Sequence, residues 1–424
     1  MRHPRRIRRA GTAMALALVA ALAFAACTAP QAAPIDLPSQ AEGDLPADTV
    51  KQLQDAVTHA MAASGASGAV VGVWAPWSGS WVSGLGTETP GGKDAVAADR
   101  EFKVGQVTRA MTCDVLYALA DQGTVSLDDP ITDYVSGVAD LSNITLAELC
   151  ASTSGIGSYS GQLLGSWLSN PARQWSPREL ASFGLGMPRT GEPGTSYVDS
   201  DAGYLLLGLA LERATGKTAS QLLDQYVDQP LGLKATQLPS PASTPSKTEM
   251  LSGYLSQRDA AGAMNCAQPL DVTALSTTTG YTDSGVVSDI DDLGRYAQAL
   301  ASGALLPDKS DRFASPLPAF PGAPSWFTAA GGAYQAGSLI GQTGSVPGYS
   351  TAAFADPDTG LTVAVVLNNS AMGNTPALYL AWELAALASK APAASGQTVP
   401  EAGLPWTAQQ YHDAITAAAI CPIP

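Results

Sequence analysis

Cysteine and histidine are the side chains best equipped for metal ligation, thiol chemistry and proton transfer, and both are scarce here. The chain has five Cys and three His. His3 stands near the start, leaving His59 and His412 for the body, and no pair of cysteines has metal-ligand spacing. No metal site and no cofactor are therefore expected. Cys27 is set apart from the other cysteines. It follows Ala25-Ala26 at the end of an apolar run, residues 13–26, behind a start that carries Arg2, Arg5, Arg6, Arg8 and Arg9 without an acid. A basic leader, an apolar stretch too short to span a bilayer comfortably and small residues before a cleavage point form an export signal. A cysteine directly after that point resembles a bacterial lipobox, with Phe24 where Leu is usual. Residues 1–26 are expected to be removed and Cys27 to be lipidated, anchoring an exported protein to the outer face of the cell membrane. Cys113, Cys150, Cys266 and Cys421 remain, an even number that permits two disulfides outside the cytoplasm.

Charge narrows the partners. With 22 basic and 37 acidic residues the formal charge is −15, and loss of the five leader arginines takes it to −20. Such a chain is unsuited to nucleic acid or an anionic membrane surface, so attachment would fall to the lipid alone.

The elements that position the remaining side chains follow from periodicity. Residues 27–47, rich in Pro and Ala, read as a flexible tether. Val50, Leu53, Val57 and Ala60 recur along one face of a helix over residues 50–63, where His59 is expected at the surface. Residues 69–74 and 80–85 read as strands about a turn at 75–79, with Trp74, Trp77 and Trp81 serving packing and the turn. Helical patterns cover residues 107–121, 145–151, 202–215, 289–302 and 377–389. Thr145 and Glu148 form a capping box at the second of these. Residues 239–247 make a loop rich in Pro, Ser and Thr. Strands cover residues 351–354 and 361–367 around a turn at 356–360. Strands near both ends and helices between them predict a mixed α/β (α+β) fold. One lobe is a sheet built from both termini, about residues 48–100 and 285–392, and a helical lobe, about residues 101–284, is inserted into it. Residues 393–424 are expected as a tail packed on the body.

Five stretches, in order, resemble the serine β-lactamase and penicillin-binding protein superfamily, which includes the D-alanyl-D-alanine carboxypeptidases, and most of all its class C-like branch. Glu101-Phe102-Lys103-Val104-Gly105-Gln106-Val107-Thr108-Arg109 is similar to the segment that opens the central helix with Ser-x-x-Lys. Gly123-Thr124-Val125-Ser126-Leu127-Asp128-Asp129-Pro130 resembles the following turn. Ile144-Thr145-Leu146-Ala147-Glu148-Leu149-Cys150-Ala151-Ser152-Thr153-Ser154-Gly155 resembles a helix ending in His-Thr-Ser-Gly, with Ser152 for His. Pro193-Gly194-Thr195-Ser196-Tyr197-Val198-Asp199-Ser200-Asp201-Ala202-Gly203-Tyr204 resembles the loop carrying Tyr-x-Asn. Gly341-Gln342-Thr343-Gly344-Ser345 resembles the strand carrying Lys-Thr-Gly or His-Thr-Gly. The resemblance runs from about residue 65 to 390. It implies a β-lactamase/transpeptidase-like fold, an antiparallel sheet flanked by helices from both termini with the helical lobe inserted.

In that superfamily the Ser attacks a carbonyl, the Lys takes its proton, Tyr relays protons, Asn holds the substrate amide and the strand cation binds its carboxylate. Spacing of i and i+3 puts the first two on one helix face. Here the resemblance places Gln106 at the nucleophile and Arg109 at the base. A carboxamide has no ionisable nucleophilic oxygen, and a guanidinium stays protonated. Asp199 stands for Tyr, Asp201 for Asn and Gln342 for the strand cation, so none of the catalytic positions is intact. Arg109 is expected to pair with Asp199 or Asp201 and close the pocket. The backbone N–H groups of Gln106 and Ser345 would lie where the superfamily has its oxyanion hole, and with Thr343 they form a candidate site for a carbonyl or carboxylate. Class A β-lactamases resemble the chain at Cys113 and Cys150, which implies that these two pair and leaves Cys266 with Cys421. The expected protein is a non-catalytic cell-envelope lipoprotein binding a peptidoglycan fragment or an envelope protein. The alternative is an active serine-hydrolase-type enzyme (β-lactamase, carboxypeptidase or esterase) using Thr108, Ser154, Ser200 or Ser345. A plain solute-binding lipoprotein would need a different fold.

Overall fold

A computed structural model describes residues 34–138, 141, 143–239, 250–307 and 310–423. Cys27, the leader, part of the tether and residues 240–247 of the polar loop lie outside the described residues. Alternating small and β-branched residues build an eight-stranded sheet whose every neighbouring pair is antiparallel. Its strands are β1 (Gly68–Ala75), β2 (Gly79–Gly86), β3 (Leu317–Pro318), β4 (Phe327–Ala330), β5 (Ala333–Ala336), β6 (Leu339–Val346), β7 (Tyr349–Ala355) and β8 (Thr362–Leu367). They lie in the order β2-β1-β8-β7-β6-β5-β4-β3, so the N-terminal hairpin joins the C-terminal strands at β8. Register runs from Ala69 opposite Leu367 to Trp74 opposite Thr362.

Both faces of the sheet are covered. Side chains alternate along a strand, so Val71, Val73, Val363 and Val365 share one core with α1 (Ala47–Ser64). The C-terminal helices, described below, complete that layer. Val70, Ala364 and Val366 face the other core, which continues into the helical lobe. There lie α2 (Val107–Asp121), α3 (Leu146–Cys150), α4 (Asp201–Thr215) and α5 (Ile290–Ser302). The capping box of Thr145 and Glu148 is present at α3, each side chain bonding the other residue's backbone N–H. Helix α6 (Thr375–Ala388) returns to the first layer.

Two features differ from expectation. Residues 393–424 are more than a tail: Thr407 caps a helix, α7 (Ala408–Ala418), whose Tyr411 and Ile415 are buried. His59 is half-buried, because α7 packs over its face of α1. Among the described residues no helix is long and apolar enough to cross a membrane. Two disulfides tie the body, Cys113–Cys150 between α2 and α3 and Cys266–Cys421 at the end of the chain.

Candidate functional site

Helix α2 begins at the foot of β6, and two glycines set how closely. A Cβ on Gly344 would stand 2.3 Å from the Gln106 nitrogen, and Gly105 has φ +59° with Ser345 N 3.0 Å from where its Cβ would be. Contact between strand and helix start therefore requires glycine on both sides. Gln106 is the residue before the first turn, yet its side chain caps nothing in its own helix. Its Oε1 instead accepts the Ser345 backbone N–H at 2.6 Å. The expected pair of donors is thus brought together, but one of them is already satisfied by the carboxamide.

One turn on, Arg109 is buried at 2% exposure. Its Nη1 donates to Asp199 and its Nε to Asp283 Oδ1 at 2.7 Å. The guanidinium carbon lies 4.9 Å from the centre of the Tyr204 ring, while Nη2 is buried without a hydrogen-bond partner. Burial alone would weaken the cation, but the two carboxylates outweigh it and hold Arg109 well above its ordinary pKa. Burial pushes Asp283 up to about 6 against the pull of Arg109. Asp199, whose side chain is 61% exposed, stays below its ordinary value because Arg109 overcomes its desolvation. A group charged so firmly cannot accept a proton as a base.

The pairing with Asp199 is the expected one; Asp201 serves otherwise. Its two oxygens accept the N–H groups of Tyr159 and Ser160 at 2.7 and 2.9 Å, and burial raises its pKa. Asp283 was not anticipated. It sits in the short helix Tyr281–Ser284, which opens on Tyr281 at φ +43° and follows a buried polar run without periodicity.

Gln342 turns away from ligand-binding work. Its Nε2 donates to Gly332 O at 2.7 Å, fastening the β4–β5 turn beside α2. Buried Arg312 fastens the same turn, donating to Gly331 O at 2.7 Å and pairing with Asp114 of α2. Thr343 is a correction. Period-two alternation sends it to the opposite face of the sheet from Gln342 and Gly344. Its hydroxyl donates to Thr351 O at 2.9 Å, and the residue borders a cavity of about 510 Å³ shared with Trp326, Leu378 and Tyr411. It does not join Gln106 and Ser345.

The alternative hydroxyls are mostly engaged. Thr108 donates to Gly105 O and accepts from Val286 N, and Ser200 caps α4 by accepting from Gly203 N. Ser154 is buried and accepts from Ile156 N. Ser158, missed in the sequence, is half-buried; its hydroxyl lies 3.1 Å from Asp199 O and 3.3 Å from Asp199 Oδ2, and accepts the Asp201 N–H at 3.3 Å. Tyr197 and Tyr334 meet nearby through their hydroxyls at 2.8 Å.

The Beta-lactamase family model matches residues 53–387. The chain is similar to the D-alanyl-D-alanine-carboxypeptidase/endopeptidase AmpH of Escherichia coli K12. That identity is 28% over 223 residues, covering 51% of this chain and 53% of that protein. The chain thus spans about half the length of the curated relatives it matches. Its fold is similar to that of a D-stereospecific amidohydrolase from Streptomyces sp., with a TM-score of 0.68 and 22% identity over 78% of this chain and 98% of that one. An octameric penicillin-binding protein homologue from Pyrococcus abyssi gives 0.66 and 20% over 78% and 75%.

Proposed function

The chain belongs to the beta-lactamase family, and from that premise we propose that it is a non-catalytic member, a lipid-anchored envelope protein that binds without turning over. The observation that carries the reading is the hydrogen bond from Ser345 N–H to Gln106 Oε1 at 2.6 Å. The carboxamide occupies a donor that an acyl-transfer enzyme would keep for the developing oxyanion, and it offers no nucleophile in exchange. Arg109, held between Asp199 and Asp283, supplies no base. Losing nucleophile and base together removes orders of magnitude from the rate of the family reaction.

Names of the relatives, a D-alanyl-D-alanine carboxypeptidase and a D-stereospecific amidohydrolase, favour a D-amino-acid peptide of peptidoglycan type as ligand, with an envelope protein as the other partner class. Anchoring rests on Cys27 and the basic and apolar leader before it.

The test is covalent labelling of the purified protein with a fluorescent penicillin and with a fluorophosphonate, read by intact mass. Neither reagent is expected to leave an adduct, and a peptidoglycan fragment is expected to bind uncleaved. A stoichiometric adduct on either reagent overturns the reading, and peptide mapping would then ask first about Ser158.

A further inference from the structure

Three helices of the layer opposite the candidate site bring together the two body histidines and one buried acid. His59 comes from α1, Glu383 from α6 and His412 from α7. The imidazole rings are stacked with centroids 3.8 Å apart and planes 16° from parallel. His412 Nδ1 lies 2.9 Å from Glu383 Oε1, and His59 Nε2 lies 3.0 Å from Thr416 Oγ1. One ligand atom from each of the three residues falls within 4.8 Å of the others.

The arrangement is incomplete as a hydrogen-bonded cluster. Glu383 is only 3% exposed, yet its Oε2 has no hydrogen-bond partner, and neither has the buried His59 Nδ1. A buried carboxylate oxygen left unpaired is costly, and the same cluster holds a buried imidazole nitrogen that is also unpaired. A cation bound by the cluster would supply the missing partners, with the two rings turning out of their stack so that their in-plane lone pairs converge on it.

We propose that His59, Glu383 and His412 form a site for a divalent cation of the Zn²⁺ class. Two imidazoles and a carboxylate suit Zn²⁺ and its borderline neighbours, whereas Mg²⁺ and Ca²⁺ prefer all-oxygen shells. Three protein ligands leave a position for water. Such a site goes against the expectation of no metal site, which rested on the scarcity of histidine and the lack of cysteine pairs with metal-ligand spacing. It lies where α7 joins the body, so its role is to staple the C-terminal helix to α1 and α6, beside the clamp of Cys266–Cys421.

The test uses the full chain carrying Cys27→Ser, so that the remaining cysteines are those of the two disulfides. The protein is stripped with a chelator and dialysed against ZnCl₂, with metal analysis and thermal unfolding as readouts. One Zn²⁺ per chain is expected, with a rise in the unfolding midpoint that MgCl₂ does not produce. His412→Gln, at a partly exposed position, and Glu383→Gln are each expected to weaken binding at least about ten-fold. His3→Ala, removing the remaining imidazole, is expected to leave it unchanged. No Zn²⁺ uptake at 100 µM, or uptake that survives both His412→Gln and Glu383→Gln, overturns the proposal.

Discussion

Arg109→Met removes the cation that two carboxylates face, and the structure sets how much that should cost. Asp283 is the buried partner at 2% side-chain exposure, and Asp199 the open one at 61%. Stripping one member from a buried pair costs about 3–5 kcal/mol, because the other charge stays desolvated. An exposed pair adds about 0–1 kcal/mol. For a body spanning Ala32–Pro424, the average unfolding entropy is about 0.8 kcal/mol per kelvin, so the midpoint should fall by about 4–6 °C at pH 8. The loss should shrink at pH 5. Burial already raises Asp283 to about 6 with Arg109 present, and removing Arg109 raises it further. The folded variant then holds a proton that the unfolded chain gives up near its ordinary 3.8. Its stability therefore rises as pH falls through the folded pKa towards that value. Asp199 acts in the opposite sense in the parent, since its pKa is lowered and its contribution is lost on acidification, but that window lies below pH 4. Arg109→Met combined with Asp283→Asn should recover at least half of the loss, an amide being cheaper to bury than a carboxylate. Calorimetric scans at both pH values decide it. A midpoint within 1 °C of the parent at pH 8, or a double variant no better than the single, would refute the assignment of Arg109–Asp283 as the buried pair that holds this end of α2.

Lys103 makes a second pH-dependent case. It is buried, donates to Leu275 O at 2.9 Å, and burial pushes its pKa down to about 8 from 10.5. The unfolded chain thus holds more protons between those values, so stability rises with pH across that window and the full penalty acts below pH 8. Lys103→Met should stabilise the protein at pH 7 by about 2 kcal/mol, roughly 3 from the pKa difference less about 1 for the lost hydrogen bond. Urea titrations from pH 7 to 10.5 should show the rise in the parent and none in the variant; a parallel rise in both would sink the argument. Replacing both cysteines of a disulfide by Ala should cost about 4 kcal/mol for Cys113–Cys150, spanning 37 residues, and about 5 for Cys266–Cys421, spanning 155. Calorimetry should find the second loss the larger, and the reverse order would reject loop closure as the source.

Much of the scaffold was legible residue by residue. Helix α2 occupies the residues its pattern marked, α5 begins one residue inside its expected range, and the capping box at α3 is present in full. These are short-range facts: side-chain period, and a cap with its partner three residues on. The helix α7 was missed because its apolar stripe is thin, with two buried side chains in eleven residues. The edge strands β3 to β5 are two to four residues long, too short for alternation to register.

By itself the sequence determined which chemical groups exist at each place along an element. An amide precedes the first turn of α2 and a guanidinium follows one turn later, and no packing can make either a nucleophile or a base of the family type. Only the tertiary structure decided which partners those groups meet. Arg109 and Asp283 are 174 residues apart, and Ser345 and Gln106 are 239 apart. Thr343 was separated from Gln106 by the period of β6, which turns its side chain to the face opposite Gly344, where α2 begins. Likewise α1, α6 and α7 are distant in sequence, and it is their packing that stacks His59 on His412 beside Glu383. Periodicity and capping are written in neighbours along the chain, whereas the partner of a buried charge is chosen by which desolvated surfaces close upon it.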